Sequence, residues 1–203
     1  PLLYRDKEGG VFLIYKPLLC IMKNMIQEKL PQPERSTDFC HEASQWVYEL
    51  YSDKGYEVIF ATVHGSYLYG TAHSKSDVDF YVVVKEGNGK QKKYEDNSDV
   101  ILIDLKHFLE KVKEGTHQSI EALYSPYAVW NDNSYYTPMV KRLYPSCASF
   151  MKKCLSASTS LMERVESGGE KDVIKMSRHA KRLEESAISM LEGRYSPVYQ
   201  KFQ

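Results

Sequence analysis

A turn of small residues followed by two closely spaced aspartates constrains this chain more than any other stretch. A β-branched and aromatic run, Glu57 to Val63, leads into Gly65-Ser66, which predicts a strand ending in a turn with exposed backbone N–H groups. Asp77 and Asp79 then open a run that predicts a second strand, to Lys85. Because side chains alternate along a strand, we expect both carboxylates on one face.

The residue types in this stretch suit phosphate and metal binding. Backbone N–H groups of Gly65-Ser66 can hold a phosphate, and glycine allows the phosphate to approach closely. Paired carboxylates suit Mg²⁺ or Mn²⁺, since Mg²⁺ takes few protein ligands and completes its shell with water and substrate phosphates. Nucleotidyl transfer requires such chemistry, because two ions about 4 Å apart clamp the attacking and leaving oxygens. We therefore predict that Asp77 and Asp79 bind two metal ions.

A third acid is predicted from a hairpin. The polar connection 86–98 precedes an apolar run, Asp99 to Leu105, which we interpret as a strand antiparallel to the preceding one. In that arrangement Asp104 lies beside Asp77 and Asp79 as a third catalytic acid and metal ligand. Asp104 also precedes a helical pattern, so helix capping is the alternative interpretation. The basic residues of the connection, Lys90, Lys92 and Lys93, are expected at a solvated hairpin tip directed away from the acids.

Composition limits the class of protein. The chain of 203 residues is 42% apolar, enough for one sizeable core, and its 27 basic and 27 acidic residues give no overall basic character. The four cysteines are scattered, which favours reduced thiols in an intracellular, cytoplasmic protein. No apolar run is long enough to span a membrane, so no membrane partner is expected, and the oligomeric state is left open.

Helical patterns surround the predicted strands. The helices are expected at about 39–54, 105–114, 119–126, 139–144, 146–166 and 170–192. We divide the chain into an N-terminal extension, 1–35, a catalytic core, 36–130, and a C-terminal helical region, 131–203.

The last predicted helix has two distinct faces. Apolar residues form a core-facing stripe, and the opposite arc is cationic with Lys171, Lys175, Arg178, His179 and Arg182. An ordinary solvated face is one interpretation of this arc. The other is an anion-binding face, because acidic partners at i,i+4 spacing are missing from the cluster.

These patterns together resemble the nucleotidyltransferase superfamily of DNA polymerase beta. Its signature, Gly-Ser, about ten residues and Asp-hydrophobic-Asp-hydrophobic, is matched by Gly65-Ser66 and Asp77-Val78-Asp79-Phe80. More narrowly, the chain looks like the nucleotidyltransferases associated with RNA repair in bacteria and phages. The pieces that match this group are Tyr69-Gly70, Ser76-Asp77-x-Asp79, Asp104-Leu105-Lys106-x-Phe108, Ile120-Glu121-x-Leu123-x-Ser125-Pro126 and Lys175-x-x-x-His179-Ala180-x-Arg182-Leu183.

The resemblance implies both a fold and an activity. The fold is α+β, a polymerase-beta-type core with a small mixed sheet flanked by helices and followed by a helical region. The activity is transfer of a nucleoside monophosphate from a nucleoside triphosphate to a hydroxyl, with an RNA 3′ end as the expected acceptor. A protein or small-molecule acceptor, or a catalytically silent nucleotide-binding module, are the alternatives. The resemblance and the chemistry of the residues together predict a nucleotide-binding set: Gly65, Ser66, Tyr67, Ser76, Lys175, Arg178, His179 and Arg182.

Two departures separate the chain from the narrower group. That group has an arginine directly after Gly-Ser and another two positions after the second aspartate, where this chain has Tyr67 and Tyr81. Two cations that would pair with phosphate are therefore missing. Either the basic face of the last helix substitutes for them, or the nucleotide or acceptor differs.

Overall fold

A computed structural model describes residues 3–5, 11–13, 37–73, 76–95, 98–166 and 173–197. The chain divides into two compact units, residues 1–34 with 73–76, and residues 35–72 with 77–203. In the first unit, strands β1 (Leu3–Arg5) and β2 (Val11–Leu13) pair antiparallel. Most of the predicted extension, 1–35, lies outside the described residues, and the predicted boundary at residue 130 stays a prediction.

A five-stranded mixed sheet organises the second unit. Its strands are β3 (Val58–His64), β4 (Asp79–Val84), β5 (Lys90–Glu95), β6 (Ser98–Asp104) and β7 (Val129–Trp130), in the order β5-β6-β4-β3-β7. Strands β4 and β6 are parallel, and the other neighbouring pairs are antiparallel.

The helices follow the sequence predictions closely. They are α1 (Thr37–Asp53), α2 (Gly65–Tyr69), α3 (Leu105–Lys113), α4 (His117–Leu123), α5 (Thr137–Lys141), α6 (Cys147–Glu166) and α7 (Val173–Leu191). The predicted fold class is confirmed: a mixed sheet is flanked by helices and followed by helices, consistent with a polymerase-beta-type core.

Helices cover both faces of the sheet. Helix α1 packs one face, where Val47 meets Phe80 and Val82 of β4 in one buried cluster. Helices α3 and α4 pack the other face, where Phe108 lies 5.4 Å from Phe60 between ring centroids. A third buried cluster joins α4 to α6 and α7, so the C-terminal helices are held against the α3–α4 side.

The predicted hairpin between β4 and the strand ending at Asp104 is wrong. The chain leaves β4, forms β5 at the edge of the sheet, and returns as β6 between β5 and β4, which makes β6 parallel to β4. The lysine-rich segment predicted as a hairpin tip is therefore strand β5. Its composition, Lys-Gln-Lys-Lys-Tyr-Glu, has little strand propensity, and an edge position tolerates lysine.

Two other sequence predictions concern cysteines and membranes. Cys147 and Cys154 are free thiols, Cys40 is buried, and Cys20 lies outside the described residues. In the part of the chain that the structure describes, every helix is too short or too polar to cross a bilayer.

Candidate active site

The Gly-Ser turn is pressed against an aspartate of the neighbouring strand. Strand β3 ends at His64, and α2 begins directly at Gly65, whose φ of 60° is left-handed. A Cβ atom added to Gly65 would overlap the carboxylate oxygen Oδ2 of Asp79. Glycine is therefore required here both by the backbone conformation and by the closeness of this carboxylate.

The turn is closed by backbone hydrogen bonds at its far end. Gly70, also left-handed with φ 69°, ends α2 and donates its N–H to the carbonyl of Tyr67. Thr71 N–H donates to the carbonyl oxygen of Ser66 at 2.8 Å. These bonds fix the path of residues 65–71, and with it the position of Ser66.

Asp79 lies at the start of β4, and Asp77 precedes the strand. Asp79 pairs with His64 across β3 and β4 and is partly exposed. Asp77 is exposed, and its charge contributes to the raised pKa of Tyr67, after burial of that phenol and the effect of Cys40. The strand alternation that predicted a common face begins only at Asp79, so the shared face of Asp77 and Asp79 stays a prediction.

A third acid, Asp99, lies beside Asp79 and was missed by the sequence analysis. The parallel register pairs Phe80 with Val100, which places Asp99 next to Asp79 on the same face of the sheet. The sequence does contain a signal for Asp99, because it comes directly before an apolar run just as Asp79 does. The prediction that β6 is antiparallel to β4 led instead to the residue at the other end of β6, Asp104.

Asp104 lies at the opposite end of the sheet, so the predicted convergence of three acids at Asp104 is wrong. Asp104 pairs with Val84 at the end of β4 and is the N-cap of α3. Its carboxylate accepts hydrogen bonds from the N–H of His107 at 2.9 Å and of Gly89 at 2.7 Å. Burial alone would raise the pKa of Asp104, but these hydrogen bonds lower it overall. The capping alternative is confirmed.

Lys92 on β5 lies close to the acids instead of away from them. Its Nζ is 2.7 Å from Oδ2 of Asp99, and the pKa of Lys92 is raised mainly by this hydrogen bond and charge, with a further contribution from Asp79. The lysine therefore lies within electrostatic reach of both strand-opening aspartates.

A buried ion pair connects the turn helix to the C-terminal helices. Glu121 of α4 is fully buried and accepts a hydrogen bond from the Tyr69 hydroxyl at 2.7 Å. Its other oxygen, Oε1, is 2.5 Å from Nη1 of Arg182 on α7. Burial would raise the pKa of Glu121, but Arg182, His117 and His64 lower it overall. Glu121 is thus held as a buried carboxylate.

Three histidines surround this ion pair. Arg182 Nη2 donates to Nε2 of His179 at 3.2 Å, and the His179 ring lies 6.4 Å from that of His117. His64 is fully buried, with no hydrogen-bond partner for Nδ1 within the described residues, and burial lowers its pKa to about 4. His64 and His117, whose pKa is also lowered mainly by burial, favour the neutral form.

The predicted nucleotide-binding set is placed as follows. Gly65, Ser66 and Tyr67 form part of α2, next to Asp79. Arg178 is exposed on α7, whereas Arg182 is buried in its ion pair and contacts His179.

Ser76 belongs to the first unit, where its hydroxyl accepts from the N–H of His73 at 2.9 Å. The side chain of Lys175 and all of Lys171 lie outside the described residues. Tyr81 is fully buried and bonded to the Ser119 hydroxyl at 2.8 Å, so its position faces the core and not a phosphate.

The acids fit Mg²⁺ only as a partial site. Among the described residues, no group of three or more histidine, cysteine, aspartate or glutamate side chains is arranged as a complete metal site. Mg²⁺ requires only one or two carboxylates when substrate phosphates and water supply the other ligands. Asp79, with Asp99 beside it and Asp77 preceding it, meets that requirement.

Comparisons with known proteins bear on the same segment of the chain. Residues 46–125 match the family model of the nucleotidyltransferase domain, whereas no curated protein matches the chain. A nucleotidyltransferase-like protein from Exiguobacterium sibiricum 255-15 aligns in structure with 13% identity and a TM-score of 0.38, over 76% of this chain. The chain spans 58% of the length of that protein. The segment that carries Gly65, Asp77, Asp79 and Asp99 is, by the family model, similar to the nucleotidyltransferase domain family.

Proposed function

We propose that this protein is a nucleotidyltransferase that transfers a nucleoside monophosphate from a nucleoside triphosphate to a hydroxyl acceptor and releases pyrophosphate. The family match over residues 46–125 supports this reaction class. The observation that carries the proposal is the contact between the Gly65 backbone and the Asp79 carboxylate. It places a turn able to bind phosphate directly beside a carboxylate able to bind a cation.

The Gly-Ser turn binds the triphosphate in this proposal. The backbone N–H groups of the turn and the Ser66 hydroxyl can donate to a phosphate, and the absence of a side chain on Gly65 leaves room for the Asp79 carboxylate beside them. The hydrogen bond between Thr71 N–H and the Ser66 carbonyl holds this part of the turn in place before substrate arrives. A fixed turn binds phosphate without an added ordering cost.

Asp77, Asp79 and Asp99 hold one or two Mg²⁺ or Mn²⁺ ions in this proposal. Such ions supply charge neutralisation at the attacking and leaving oxygens. The protein contributes carboxylates from two adjacent parallel strands, whose spacing is fixed by the sheet. Asp99 takes the place that the sequence analysis gave to Asp104.

Lys92 brings a cation beside the acids, on the side of β4 away from the Gly-Ser turn. The two positions where the narrower group has arginines are differently used here: Tyr67 packs against Phe39, with ring centroids 5.3 Å apart, and Tyr81 is buried. Lys92 is largely exposed and close to Asp99, where its ammonium group can pair with a phosphate of the acceptor. Arg182 acts through Tyr69 and Glu121, because its guanidinium is already committed to that buried carboxylate.

The acceptor in our proposal is the 3′ end of a nucleic acid, and RNA in particular. This choice follows the resemblance to RNA-repair nucleotidyltransferases in the sequence. The basic residues Lys92 and Arg178, which solvent reaches, are compatible with a polyanionic acceptor, although the net charge of the chain is zero.

Transfer of radiolabel tests the reaction class. The full chain is incubated with each α-labelled nucleoside triphosphate, Mg²⁺ or Mn²⁺, and separate RNA, protein and small-molecule acceptor pools. We expect metal-dependent labelling that Asp79→Asn abolishes, because one ligand and its charge are lost. Asp132→Asn, which removes a carboxylate from an exposed loop residue, is the matched control and should retain transfer. No labelling of any pool, or equal labelling by both variants, would overturn the proposal.

A further inference from the structure

Edge strand β5 presents an aromatic and basic face on the same side of the sheet as the acids. The antiparallel register pairs Tyr94 with Asp99 and Lys92 with Ile101. Directly paired residues point to the same side of a sheet, as do residues two apart along one strand. Tyr94 and Lys92 therefore share a face with Asp99, and through β6 with Asp79.

Contacts on the opposite face confirm this assignment. Glu95, which follows Tyr94 and points the other way, is 2.6 Å from Nζ of Lys54 and 3.4 Å from the hydroxyl of Tyr51. Tyr51 belongs to α1, and Lys54 is the first residue after that helix. Helix α1 covers the face of the sheet away from the acids. Lys93 shares that opposite face with Glu95, so Lys92 and Lys93 are adjacent in sequence but lie on different sides of the sheet.

Tyr94 offers an accessible aromatic ring on this face. Its side chain is 68% exposed, so much of it can be reached by a ligand. Lysines on an edge strand protect it against aggregation, which accounts for the lysines of β5. A tyrosine gives no such protection. A tyrosine and lysines along one exposed strand are the combination with which proteins bind single-stranded nucleic acids: bases stack on the ring and phosphates pair with the cations.

The order of the strands indicates which substrate this face receives. The Gly-Ser turn follows β3 on one side of β4, whereas β6 and then β5 lie on the other side. Strands are about 4.8 Å apart, so Lys92 and Tyr94 lie on the order of 10 Å across the sheet from Asp79. In an in-line displacement, the attacking hydroxyl and the leaving group occupy opposite sides of the phosphorus. If the triphosphate is bound at the turn, the acceptor therefore approaches from the side of β5.

We propose that Tyr94 and Lys92 of β5 form the binding site for the 3′-terminal nucleotides of a single-stranded polynucleotide acceptor. The ring of Tyr94 stacks on a base, and Lys92 pairs with a backbone phosphate. The assignment of this strand to the acceptor rests on the proposed function, because the direction of attack follows from a triphosphate at Gly65-Ser66. RNA and DNA share the base and phosphate chemistry, so the test includes both.

Equilibrium binding of labelled oligonucleotides tests the site without requiring catalysis. Fluorescence anisotropy is measured for the full chain with a short single-stranded RNA and a DNA of the same sequence. We expect Tyr94→Ala to weaken binding about tenfold and Tyr94→Phe to retain it, because stacking needs the ring and not the hydroxyl. Lys92→Gln should weaken binding several-fold and reduce its salt dependence.

Lys93→Gln is the matched control. It makes the same charge change one residue away, on the opposite face of the same strand, and we expect unchanged oligonucleotide binding. Thermal stabilisation by nucleoside triphosphates should be the same in Tyr94→Ala as in the wild type, because the turn lies on the far side of β4. A circular dichroism spectrum verifies that each variant is folded.

Three results would overturn this inference: no binding of either oligonucleotide by the wild type, unaltered binding in Tyr94→Ala, or equal losses in Lys92→Gln and Lys93→Gln. These outcomes are distinct from failure of the proposed function. Transfer of label to a protein or small molecule without oligonucleotide binding would overturn only the acceptor site. Tyr94-dependent oligonucleotide binding without transfer to any pool would overturn only the reaction.

Discussion

Arg182 of α7 and Glu121 of α4 form an ion pair in which both side chains are almost completely buried, with exposed fractions of 8% and 0%. The guanidinium carbon also lies 3.5 Å from the centroid of the Tyr69 ring, and the Tyr69 hydroxyl donates to Glu121. One cation thus holds the C-terminal helix, the helix before Ser125 and the helix of the Gly-Ser turn together. Arg182 contributes to the candidate site by positioning Tyr69 and the turn.

Glu121→Gln should destabilise the protein by about 3 kcal/mol, because it leaves the Arg182 charge buried without a counter-charge. Urea unfolding monitored by circular dichroism measures this change. The control is Asp132→Asn, which breaks the exposed pair of Asp132 with Lys141 and should cost less than about 1 kcal/mol.

A double variant separates the charge effect from lost packing. Glu121→Met combined with Arg182→Met removes both buried charges, so it should be less destabilised than Glu121→Gln alone. Equal costs for Glu121→Gln and Asp132→Asn would show that the buried pair is not a structural link.

The placement of Arg182 also shows the limit of the sequence analysis. Helical periodicity predicted a core-facing stripe of Val173, Met176, Ala180, Leu183, Ala187 and Met190; the last four of these are buried, whereas Val173 at the start of α7 is exposed. Periodicity also placed Arg182 on the cationic arc. It gives the face of the helix on which a residue lies, but not which other elements pack against that face. The partner of Arg182 lies 61 residues away in sequence, and only tertiary packing brings them together.

The same limit explains the error at the third acid. Strand β6 and helix α3 were predicted nearly to the residue, because apolar runs and caps are local signals. Strand β6 is parallel to β4 because β5 comes between them in the chain. The lysines of β5 have little strand propensity, so this strand was not predicted. The Gly65 turn and Asp79 were predicted from sequence, whereas Asp99 required the register.

Gly65→Ala should abolish transfer and reduce stability. The added Cβ would overlap Asp79 Oδ2, so the carboxylate or the turn has to move, and the left-handed φ adds about 1 kcal/mol of strain. Gly193→Ala is the matched control, because Gly193 has a similar φ of 67° but an added Cβ there would meet nothing within 4 Å. It should cost about 1 kcal/mol and retain transfer. Loss of transfer in both variants would show that backbone strain, and not the contact with Asp79, is responsible.

Asp99→Asn and Asp104→Ala should have opposite effects. Asp99→Asn should reduce transfer by at least about a hundredfold with little loss of stability, because it removes a proposed metal ligand beside Asp79. Asp104→Ala should cost about 1–2 kcal/mol, because α3 loses its N-cap, and should retain the chemistry in the folded fraction. Single-turnover transfer and urea unfolding of both variants provide the measurements. The reverse pattern would restore Asp104 as the third acid.

Folding stability should decrease between pH 6.5 and about pH 4 because of His64. Burial lowers the pKa of His64 from 6.5 to about 4, so above pH 6.5 the side chain is neutral in both states. As the pH falls, the unfolded chain binds a proton that folded His64 does not, which costs up to about 3 kcal/mol by pH 4. Below pH 4 both states are protonated, and this contribution becomes constant.

The measurement is the free energy of unfolding in urea at pH 7, 6 and 5 for wild type and His64→Gln. The difference between the two isolates His64 from His117, whose pKa is also lowered, mainly by burial, and which therefore adds a slope of the same sign. We expect His64→Gln to be the less pH-sensitive protein. Identical slopes for wild type and His64→Gln would mean that His64 is protonated within the folded protein, and that a partner for its Nδ1 forms at low pH.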